Sequence, residues 1–593
     1  MKDFLKIVLG TVVGLILFGI VTTIIFMVGL IGIVASSDSY VEVKDNTVVV
    51  LDLKGEISER RNESGNPADV LMEALYGAKE GYGLNEIVSA IKKAKNNDKV
   101  KGIYLKPEGL SCGIATVQEI REALVDFKKS GKFIVAYSDA YTQGEYYLSS
   151  VADKVMLNPL GSITWKGLSA SPMFYKGTLD KIGVEMQIFK VGTYKSAVEP
   201  FMQTKMSDAN REQVSVFLNS IWNEVTTAVS QSRNINVDSL NMLADNMVGM
   251  GLAQNSIYSR LADTLIYKSD VEDYLAEKVG VKKEDMRYLK VSDMRKVKNK
   301  TVKDKSGNIV AVYYAVGGIT DSNSGMMSGE EIVGGKVVKD LNKLRDDKDI
   351  KAVVLRVNSP GGSAFASEQI WNAVRQLKEK KPVIVSMGDY AASGGYYISC
   401  LADTIVAQPT TLTGSIGIFG MLPNFKGLTD KVGLTFDVVK TNEHADFATN
   451  SSKPLTESEK KFIQERINEG YELFLKRCYE GRGMTKEELA KIAEGRVWTG
   501  QTAKELGLVD ELGGIERAIE IASQKAGIES YTVMSYPKQE DWFDSLFNKN
   551  IGSAKAKLLK AEMGDMYKHY EHIKELLDRV EIQARMPFEY NIK

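Results

Sequence analysis

The chain contains an internal duplication with a constant offset of 250 residues. Phe133–Asp139 corresponds to Val383–Asp389, and Tyr146–Asp153 corresponds to Tyr396–Asp403. The same offset relates further pairs of identical residues: Pro159 and Pro409, Lys176 and Lys426, Gly177 and Gly427, Asp180 and Asp430, Lys190 and Lys440. A register that is held over so long a stretch predicts two equivalent structural units in one chain.

Each unit has the pattern of an α/β fold. In the second unit, the β-rich runs Ile350–Val357 and Val383–Met387 alternate with the helical stretches Ser367–Glu379 and Gly395–Leu401. Alternation of this kind predicts parallel strands joined by crossover helices. Longer helical regions follow the two units, at Ser207–Ser232 and Thr456–Glu480.

The limits of the units follow from their first strands. Val48–Leu53 and Asn308–Val316 are expected to open the two halves, and the charged region Ser292–Ser306 is expected to link them. The predicted domains are a membrane anchor at 1–40, a first repeat at 41–300, a second repeat at 301–535 and a charged helical tail at 536–593.

The predicted anchor is the uncharged apolar run Ile7–Val34. As a helix it would be about 42 Å long at 1.5 Å per residue, which exceeds a hydrocarbon layer of about 30 Å. A cleaved signal peptide has a shorter apolar region and a small-x-small cleavage site, which Val34–Ser37 matches poorly. Lys2 and Lys6 precede the run, so the positive-inside rule places the N-terminus in the cytoplasm and the remainder outside.

The two copies differ where a nucleophile is expected. Strand Val383–Met387 leads into a turn of small residues around Ser393, whereas the first copy has Gln143 at this position. Gly394 follows the serine at the start of a predicted helix, where N–H groups can stabilise negative charge. Taken alone, this motif also fits a serine that caps an ordinary helix.

A second motif lies directly after strand Ile350–Val357. Asn358–Ser363 contains the pair Gly361 and Gly362, whose N–H groups can point at a developing oxyanion. The first copy, Glu108–Gly113, lacks this glycine pair. An ordinary β-turn would explain this second motif by itself, but the two motifs together favour a catalytic site.

A serine nucleophile needs a base, and the chain has three histidines. His569 and His572 lie in the charged tail, where a solvated helix face explains them, so His444 is the histidine that remains a candidate. The other candidate is Lys195, in the Ser–Lys variant of the catalytic triad. The second copy has Ala445 at the position equivalent to Lys195. Each half would therefore keep one catalytic position and lack the other.

The composition excludes several other functions. Lys and Arg total 76 against 77 Asp and Glu, so the chain as a whole has no excess charge that would attract nucleic acid. Cys112, Cys400 and Cys478 are widely separated and form no C-x-x-C pair, and no metal or other cofactor is expected.

Four motifs, in this order, resemble the signal peptide peptidase A (bacterial protease IV) family in its long tandem form: Tyr194–Phe201, Asn358–Ser363, Ala392–Tyr397 and Gly414–Gly417. The resemblance extends from the apolar run to about residue 530. It implies two tandem crotonase-like (ββα-superhelix) α/β repeats after one transmembrane helix. It also implies Ser393 as nucleophile, Lys195 as general base, and the N–H groups around Gly361, Gly362 and Gly394 as the oxyanion hole.

The activity implied by the resemblance is that of a membrane-anchored serine endopeptidase with a Ser/Lys dyad. Such an enzyme would sit in the bacterial inner membrane, with its catalytic domains on the periplasmic side. It would degrade cleaved signal peptides and other short apolar peptides as a ring- or bowl-shaped homotetramer.

Two functions of other classes remain open. A crotonase-like acyl-CoA hydratase or isomerase would use paired N–H groups to hold an enolate, although CoA thioesters are cytoplasmic. The second alternative is a catalytically inactive scaffold that organises membrane proteins through its repeats.

Overall fold

The computed structural model describes residues 40–61, 81–297, 306–322, 330–449, 451–538 and 583–585, with scattered positions between 10 and 22. In these parts of the chain, no helix has the length and apolar character needed to cross a membrane. The predicted anchor Ile7–Val34 lies largely outside the described residues.

The first repeat is built on a parallel sheet of seven strands. Its strand order is β2-β1-β3-β4-β5-β7, with β8 paired to β1. The strands of this half, including β6 outside the sheet, are β1 Thr47–Ser58, β2 Tyr82–Gly83, β3 Val100–Ser111, β4 Phe133–Tyr141, β5 Lys154–Ile163, β6 Glu185–Lys190, β7 Thr264–Leu265 and β8 Arg287–Lys290. The α-helices are Leu84–Lys95, Ile114–Lys128, Gln143–Ser149, Lys176–Ile182, Glu199–Met202, Asp208–Arg233, Val237–Asp245, Ala253–Tyr258, Val271–Val279 and Val291–Lys296.

The second repeat has a corresponding sheet of eight strands. Its order is β18-β16-β14-β12-β9-β20, and β15 joins β14 to β19. The strands are β9 Ile309–Val316, β10 Gly318–Thr320, β11 Glu331–Val333, β12 Ile350–Ser359, β13 Gly361–Ser363, β14 Val383–Ala392, β15 Thr404–Ala407, β16 Leu412–Gly414, β17 Phe419–Asn424, β18 Val497–Thr499, β19 Glu511–Leu512, β20 Thr532–Tyr536 and β21 Gln583–Arg585. The α-helices are Gly334–Asp346, Ala364–Lys378, Gly394–Ser399, Lys426–Lys431, Glu457–Arg482, Lys486–Ile492, Gly500–Glu505 and Ile515–Lys525.

These bounds confirm the predicted α/β class and the duplication. β3 and β12 begin 250 residues apart, as do β4 and β14 and the helices that start at Leu84 and Gly334. Central strands such as β12 are apolar and almost wholly buried, because helices cover both faces of a parallel sheet. The tail predicted to be helical lies mostly outside the described residues, and its residues 583–585 form a strand.

A buried ionic network joins the two repeats. Arg356 on β12 donates to Glu59 at 2.8 Å and to Glu119 at 2.9 Å, and both carboxylates belong to the first repeat. Asp389 of the second repeat accepts from the N–H and hydroxyl of Thr116 at 2.9 and 2.7 Å. Buried charges are tolerated only when they are paired in this way, so the network fixes how the halves meet.

A third, smaller sheet positions the candidate site. Its order is β11-β10-β13-β21-β17-β6, so it combines strands of the second repeat with β6 of the first and β21 of the tail. β6 and β17 are antiparallel and pair over six residues. This pairing carries the chain that follows β6 across to the second repeat.

Candidate functional site

Ser393 lies at a sharp turn between β14 and the helix Gly394–Ser399. Its backbone has φ 56° and ψ −113°, a region that non-glycine residues rarely occupy. The Ser393 N–H donates to the Gly414 carbonyl at 2.8 Å, and its carbonyl accepts from the Tyr397 N–H at 2.8 Å. Strain of this kind at a strand-to-helix turn is typical of a nucleophile held in a fixed position.

Lys195 follows β6 and enters the second repeat. The Val191 N–H donates to the Ile418 carbonyl at 3.2 Å, and the Tyr194 N–H donates to the Glu494 carbonyl at 3.0 Å. These bonds place the Lys195 side chain between the halves, where it is 0% exposed. Its Nζ lies 2.7 Å from Ser393 Oγ, so the structure brings the two predicted residues into direct hydrogen-bond contact within one chain.

The surroundings of Lys195 favour the neutral amine. Besides Ser393, Nζ contacts the carbonyl and hydroxyl oxygens of Ser415 at 3.1 and 3.2 Å. Among the described residues, no carboxylate lies within ion-pair distance of Lys195. Burial without a compensating charge lowers the pKa of Lys195 well below its ordinary value of 10.5. A neutral amine beside a serine hydroxyl can accept that hydroxyl's proton.

We expect this lowered pKa to appear in the stability of the protein. Between the lowered pKa and 10.5, the unfolded lysine holds a proton that the folded one does not, so stability rises with pH. The free energy of unfolding of the wild type should therefore increase relative to Lys195→Met between about pH 7 and about pH 9.5. Urea denaturation at both pH values measures this difference. A difference that is constant or falls would show that Lys195 is charged in the folded protein.

The glycine residues predicted for the oxyanion hole lie beside Ser393. Gly361 and Gly362 form most of β13 and have φ values of 101° and 156°, which only glycine adopts readily. A methyl group added to Gly394 would lie 3.1 Å from the Gly362 nitrogen, so these two backbones are in close proximity. The Gly361 N–H donates to Ser359 Oγ at 3.1 Å. Its N–H is therefore already engaged, and the geometry favours Gly362 and Gly394 as the donors.

Sequence reasoning missed three residues that shape the lysine site. Ser415 has φ 49° and contacts Nζ, but the Gly414–Gly417 motif gave it no role. A methyl group on Gly495 would lie 2.7 Å from Lys195 Cβ, and one on Gly417 would lie 3.2 Å from Lys195 Cδ. Both glycines make room for the lysine stem, and a glycine opposite a buried side chain leaves no signal in a single sequence.

The residues after Lys195 are structural. Gln213, on the helix Asp208–Arg233, donates to the Tyr194 carbonyl at 3.0 Å and to Ser196 Oγ at 2.9 Å. Glu199 accepts from the Asn210 amide at 2.8 Å and has no contact with Lys195 Nζ. These bonds anchor the Lys195 loop to the first repeat.

The counterparts in the opposite repeats have no comparable chemistry. Gln143, which replaces the serine, is buried, and its side-chain oxygen accepts from the N–H groups of Lys166 and Gly167, both at 3.0 Å. Ala445, which replaces the lysine, is exposed. His444 contacts Glu459 at 3.3 Å, whereas the amine in contact with Ser393 Oγ is that of Lys195. His569 and His572 lie outside the described residues.

No group of three or more His, Cys, Asp or Glu side chains in the described part of the chain could hold a metal ion. What the site does contain is a hydroxyl, an amine held close to it, and backbone N–H groups beside the hydroxyl. These are the components needed for nucleophilic attack on a carbonyl with stabilisation of the resulting oxyanion.

Both halves of the chain match a protein-family model. The model described as "Peptidase family S49" matches residues 126–282 and again 375–529. The model described as "Clp protease" matches residues 326–410, which include the glycine pair and Ser393.

Full-length relatives are also similar. "Protease 4" of Salmonella typhi is 35% identical over 529 residues, covering 86% of this chain and 84% of that protein. "Protease 4" of Haemophilus influenzae is 36% identical over 514 residues, covering 84% and 82%. "Serine protease SPPA, chloroplastic" of Arabidopsis thaliana is 32% identical over 493 residues, covering 82% and 70%.

Proposed function

Because the chain belongs to peptidase family S49 and is a serine peptidase of that family, we propose that it cleaves peptide bonds with a dyad of Ser393 and Lys195. The observation that carries the proposal is the 2.7 Å contact between Lys195 Nζ and Ser393 Oγ, two side chains that are both 0% exposed. The lysine comes from the first repeat and the serine from the second, so neither half contains the complete site.

The proposed reaction has two stages. Lys195 Nζ takes the proton of Ser393 as Oγ attacks the peptide carbonyl, and the N–H groups of Gly362 and Gly394 stabilise the oxyanion. Lys195 then gives the proton to the leaving amine, and an ester to Ser393 remains. Water, deprotonated by Lys195, hydrolyses that ester and releases the acid. Ser415 holds Nζ towards Ser393 throughout this cycle through its contacts at 3.1 and 3.2 Å.

We further propose that the substrates are signal peptides and other short apolar peptides, and that Ile7–Val34 anchors the enzyme in the bacterial inner membrane. The apolar run supports this proposal, because an enzyme tethered in the bilayer meets peptides that diffuse in two dimensions there. The catalytic repeats would then lie on the periplasmic side.

The test is the cleavage of one synthetic signal peptide, with the products identified by mass spectrometry. Wild-type chain should cut it within the apolar region, whereas Ser393→Ala should leave it intact. A fluorophosphonate should label Ser393 in the wild type, which neither an acyl-CoA enzyme nor an inactive scaffold requires. Cleavage of polar peptides alone would reject the proposed substrate class, and failure to label Ser393 would reject the mechanism.

We also propose that the chain forms a homo-oligomer, which the family resemblance predicts to be a tetramer. The support is that β6 and β17 pair with each other, whereas their equivalents in the opposite repeats do not. Residues 435–440 are the second-repeat equivalents of β6, but among the described residues they pair with no strand. Their apolar side chains are exposed, with Phe436 at 57% and Val439 at 99%.

The segment that would complete this pairing in the first repeat also pairs with no strand among the described residues. Residues 169–174 are equivalent to β17 and also form no strand. Within the chain, Gly183 packs against Gly427, and a methyl group on Gly183 would lie 2.5 Å from the Gly427 backbone. The equivalent pair, Gly433 and Gly177, has no atom within 4 Å of either added methyl group. Residues 435–440 of one copy can therefore pair with residues 169–174 of the next, head to tail, in a closed ring.

Val439→Asp is expected to dissociate this assembly, because a charge would replace an apolar side chain in the proposed interface. The wild type should have the mass of several chains in light scattering, and the variant should have the mass of one. Leu160→Asp is the matched control, since Leu160 is 94% exposed but lies outside both segments. An unchanged mass for Val439→Asp would show that this strand does not join the copies.

A further inference from the structure

The ladder between β12 and β14 is interrupted opposite Asn358. Three residues of β14, 388–390, face this single residue, whereas the two strands are in regular register before it. A bulge of this kind re-aims the chain that follows it. On β14 the bulge is followed by Ser393, and on β12 it opens the stretch Asn358–Ser363, called here the oxyanion segment. The bulge therefore sets how the nucleophile and the oxyanion donors meet.

The side chain of Asn358 closes this bulge. Its Oδ1 accepts from the Tyr390 N–H at 3.1 Å, in place of a ladder bond. Its backbone carbonyl accepts from the N–H of Gly317, directly after β9, at 2.9 Å. The Asn358 amide thus links the start of the oxyanion segment to the strand that leads to Ser393.

Glu59 of the first repeat holds the other end of that amide. It lies directly after β1 and is 5% exposed, and its Oε1 accepts from Asn358 Nδ2 at 2.8 Å. Its Oε2 accepts from Arg356 Nε at 2.8 Å, which fixes the orientation of the carboxylate. A methyl group on Gly388 would collide with Oε1, so the carboxylate packs against the bulge itself. Because a carboxylate accepts and a backbone N–H donates, the Asn358 amide has a single orientation between Glu59 and Tyr390.

A second carboxylate holds the far end of the oxyanion segment. Ser363 Oγ donates to Asp321 Oδ1 at 2.6 Å, and Asp321 directly follows β10. The residues before Glu59 pair with β2 as the residues before Asp321 pair with β11, so these two acids are equivalent positions of the two repeats. The duplication therefore supplies one carboxylate to each end of the segment, and the one at Asn358 comes from the first repeat.

We propose that Glu59 is a positioning residue for peptide cleavage, which holds the oxyanion segment in place relative to Ser393 through the side chain of Asn358. This inference rests on the proposed function. Glu59 acts through Asn358 and not on the substrate. The first repeat then contributes twice to the site, with Lys195 as the base and with Glu59 as the support of the oxyanion donors.

Glu59→Gln tests the proposal, because glutamine keeps the size of the side chain but places a donor against either Arg356 or Asn358. Ser393 is first labelled to completion with a fluorophosphonate, which counts the competent sites and removes the contribution of unfolded protein. Per competent site, kcat on a synthetic signal peptide should fall about ten- to 100-fold, while KM stays within about twofold. A peptide aldehyde, which forms a tetrahedral adduct with Ser393, should bind more weakly by a similar factor. An unchanged kcat per site would overturn the proposal.

Glu119→Gln is the matched control. Glu119 is equally buried and accepts from the same Arg356 at 2.9 Å, but its second hydrogen bond accepts from the Ile515 N–H at 2.7 Å. Both variants remove one negative charge from the ionic network and should lower the thermal stability. Glu119→Gln should nevertheless keep kcat per competent site within about twofold of the wild type. Equal losses of kcat in both variants would attribute the effect to the network as a whole and overturn the positioning role.

An exchange of donor and acceptor provides a rescue. In Asn358→Asp alone, two carboxylates face each other across the contact. When Glu59→Gln is added, the new amide can donate to the new carboxylate, and kcat should rise by about fivefold or more over Asn358→Asp. A double variant no faster than Asn358→Asp would show that this hydrogen bond is not the source of the effect.

The wild type separates this inference from the proposed function. Wild type that cuts the signal peptide and is labelled at Ser393, with kcat unchanged in Glu59→Gln, overturns the positioning role and leaves the peptidase intact. Wild type that neither cuts the peptide nor is labelled overturns both.

Discussion

Lys195→Ala is expected to lower peptide cleavage by on the order of 10⁴-fold while the protein stays folded. The base would be lost from a site where Nζ is 2.7 Å from the nucleophile. Ser393→Ala should have an effect of similar size. The double variant should be no worse than either single variant, because residues that act as one unit do not contribute additively.

The measurement is kcat/KM on a synthetic signal peptide, with thermal unfolding as the check on folding. Lys190→Ala is the matched control, because Lys190 ends β6 only five positions earlier and has no contact with Ser393. Substantial activity in folded Lys195→Ala would reject lysine as the base. Additive losses in the double variant would show that the two residues act separately.

Gly361→Ala is expected to lower kcat/KM by about 10²–10³-fold without removing a catalytic side chain. The added methyl group would lie 2.2 Å from the position of the Ala584 carbonyl oxygen and 2.8 Å from the Gly394 nitrogen. It would therefore crowd the backbone nitrogen of Gly394, which is a proposed oxyanion donor. The φ of 101° adds backbone strain.

Gly109→Ala separates these two causes. Gly109 lies near the end of β3, in the segment of the first repeat that corresponds to Asn358–Ser363. It has φ 70° and no atom within 4 Å of an added methyl group. It should therefore show the strain without the obstruction and keep its activity. Equal losses in both variants would attribute the effect to strain or misfolding and not to the oxyanion site.

The fold, and the meeting of the Ser393 and Lys195 side chains, could be predicted from the sequence because the duplication provides an internal comparison. Differences between the copies singled out Ser393 against Gln143 and Lys195 against Ala445. The alternating pattern then gave strands and helices close to those observed, such as β12 at Ile350–Ser359. The family match supports this reading of the repeat.

Other parts of the site depend on distant contacts that a local pattern does not encode. Ser415 contacts Lys195 from 220 positions away, and no motif indicated this pairing. The strand Gln583–Arg585 lies in a segment predicted to be helical from its charge, and it becomes a strand because β13 and β17 offer it two free edges. The hydrogen bond from Gly361 to Ser359 likewise could not be read from the glycine pair.

The duplication also explains why the lysine can be neutral. A catalytic lysine must be shielded from water and from carboxylates, and the boundary between two packed repeats provides such a place. The ionic network of Arg356, Glu59 and Glu119 holds that boundary together. Each half could then keep only one of the two positions that are proposed to be catalytic.

The pH dependence of Ser393 acylation by a fluorophosphonate tests the central claim most directly, because it reports the base and the nucleophile in one reaction. In wild type, the rate should rise with pH through a single ionisation well below the ordinary lysine value of 10.5. Lys195→Ala should lose that ionisation together with most of the rate. Fast acylation with the same ionisation in Lys195→Ala would contradict an uncharged Lys195 as the base for Ser393.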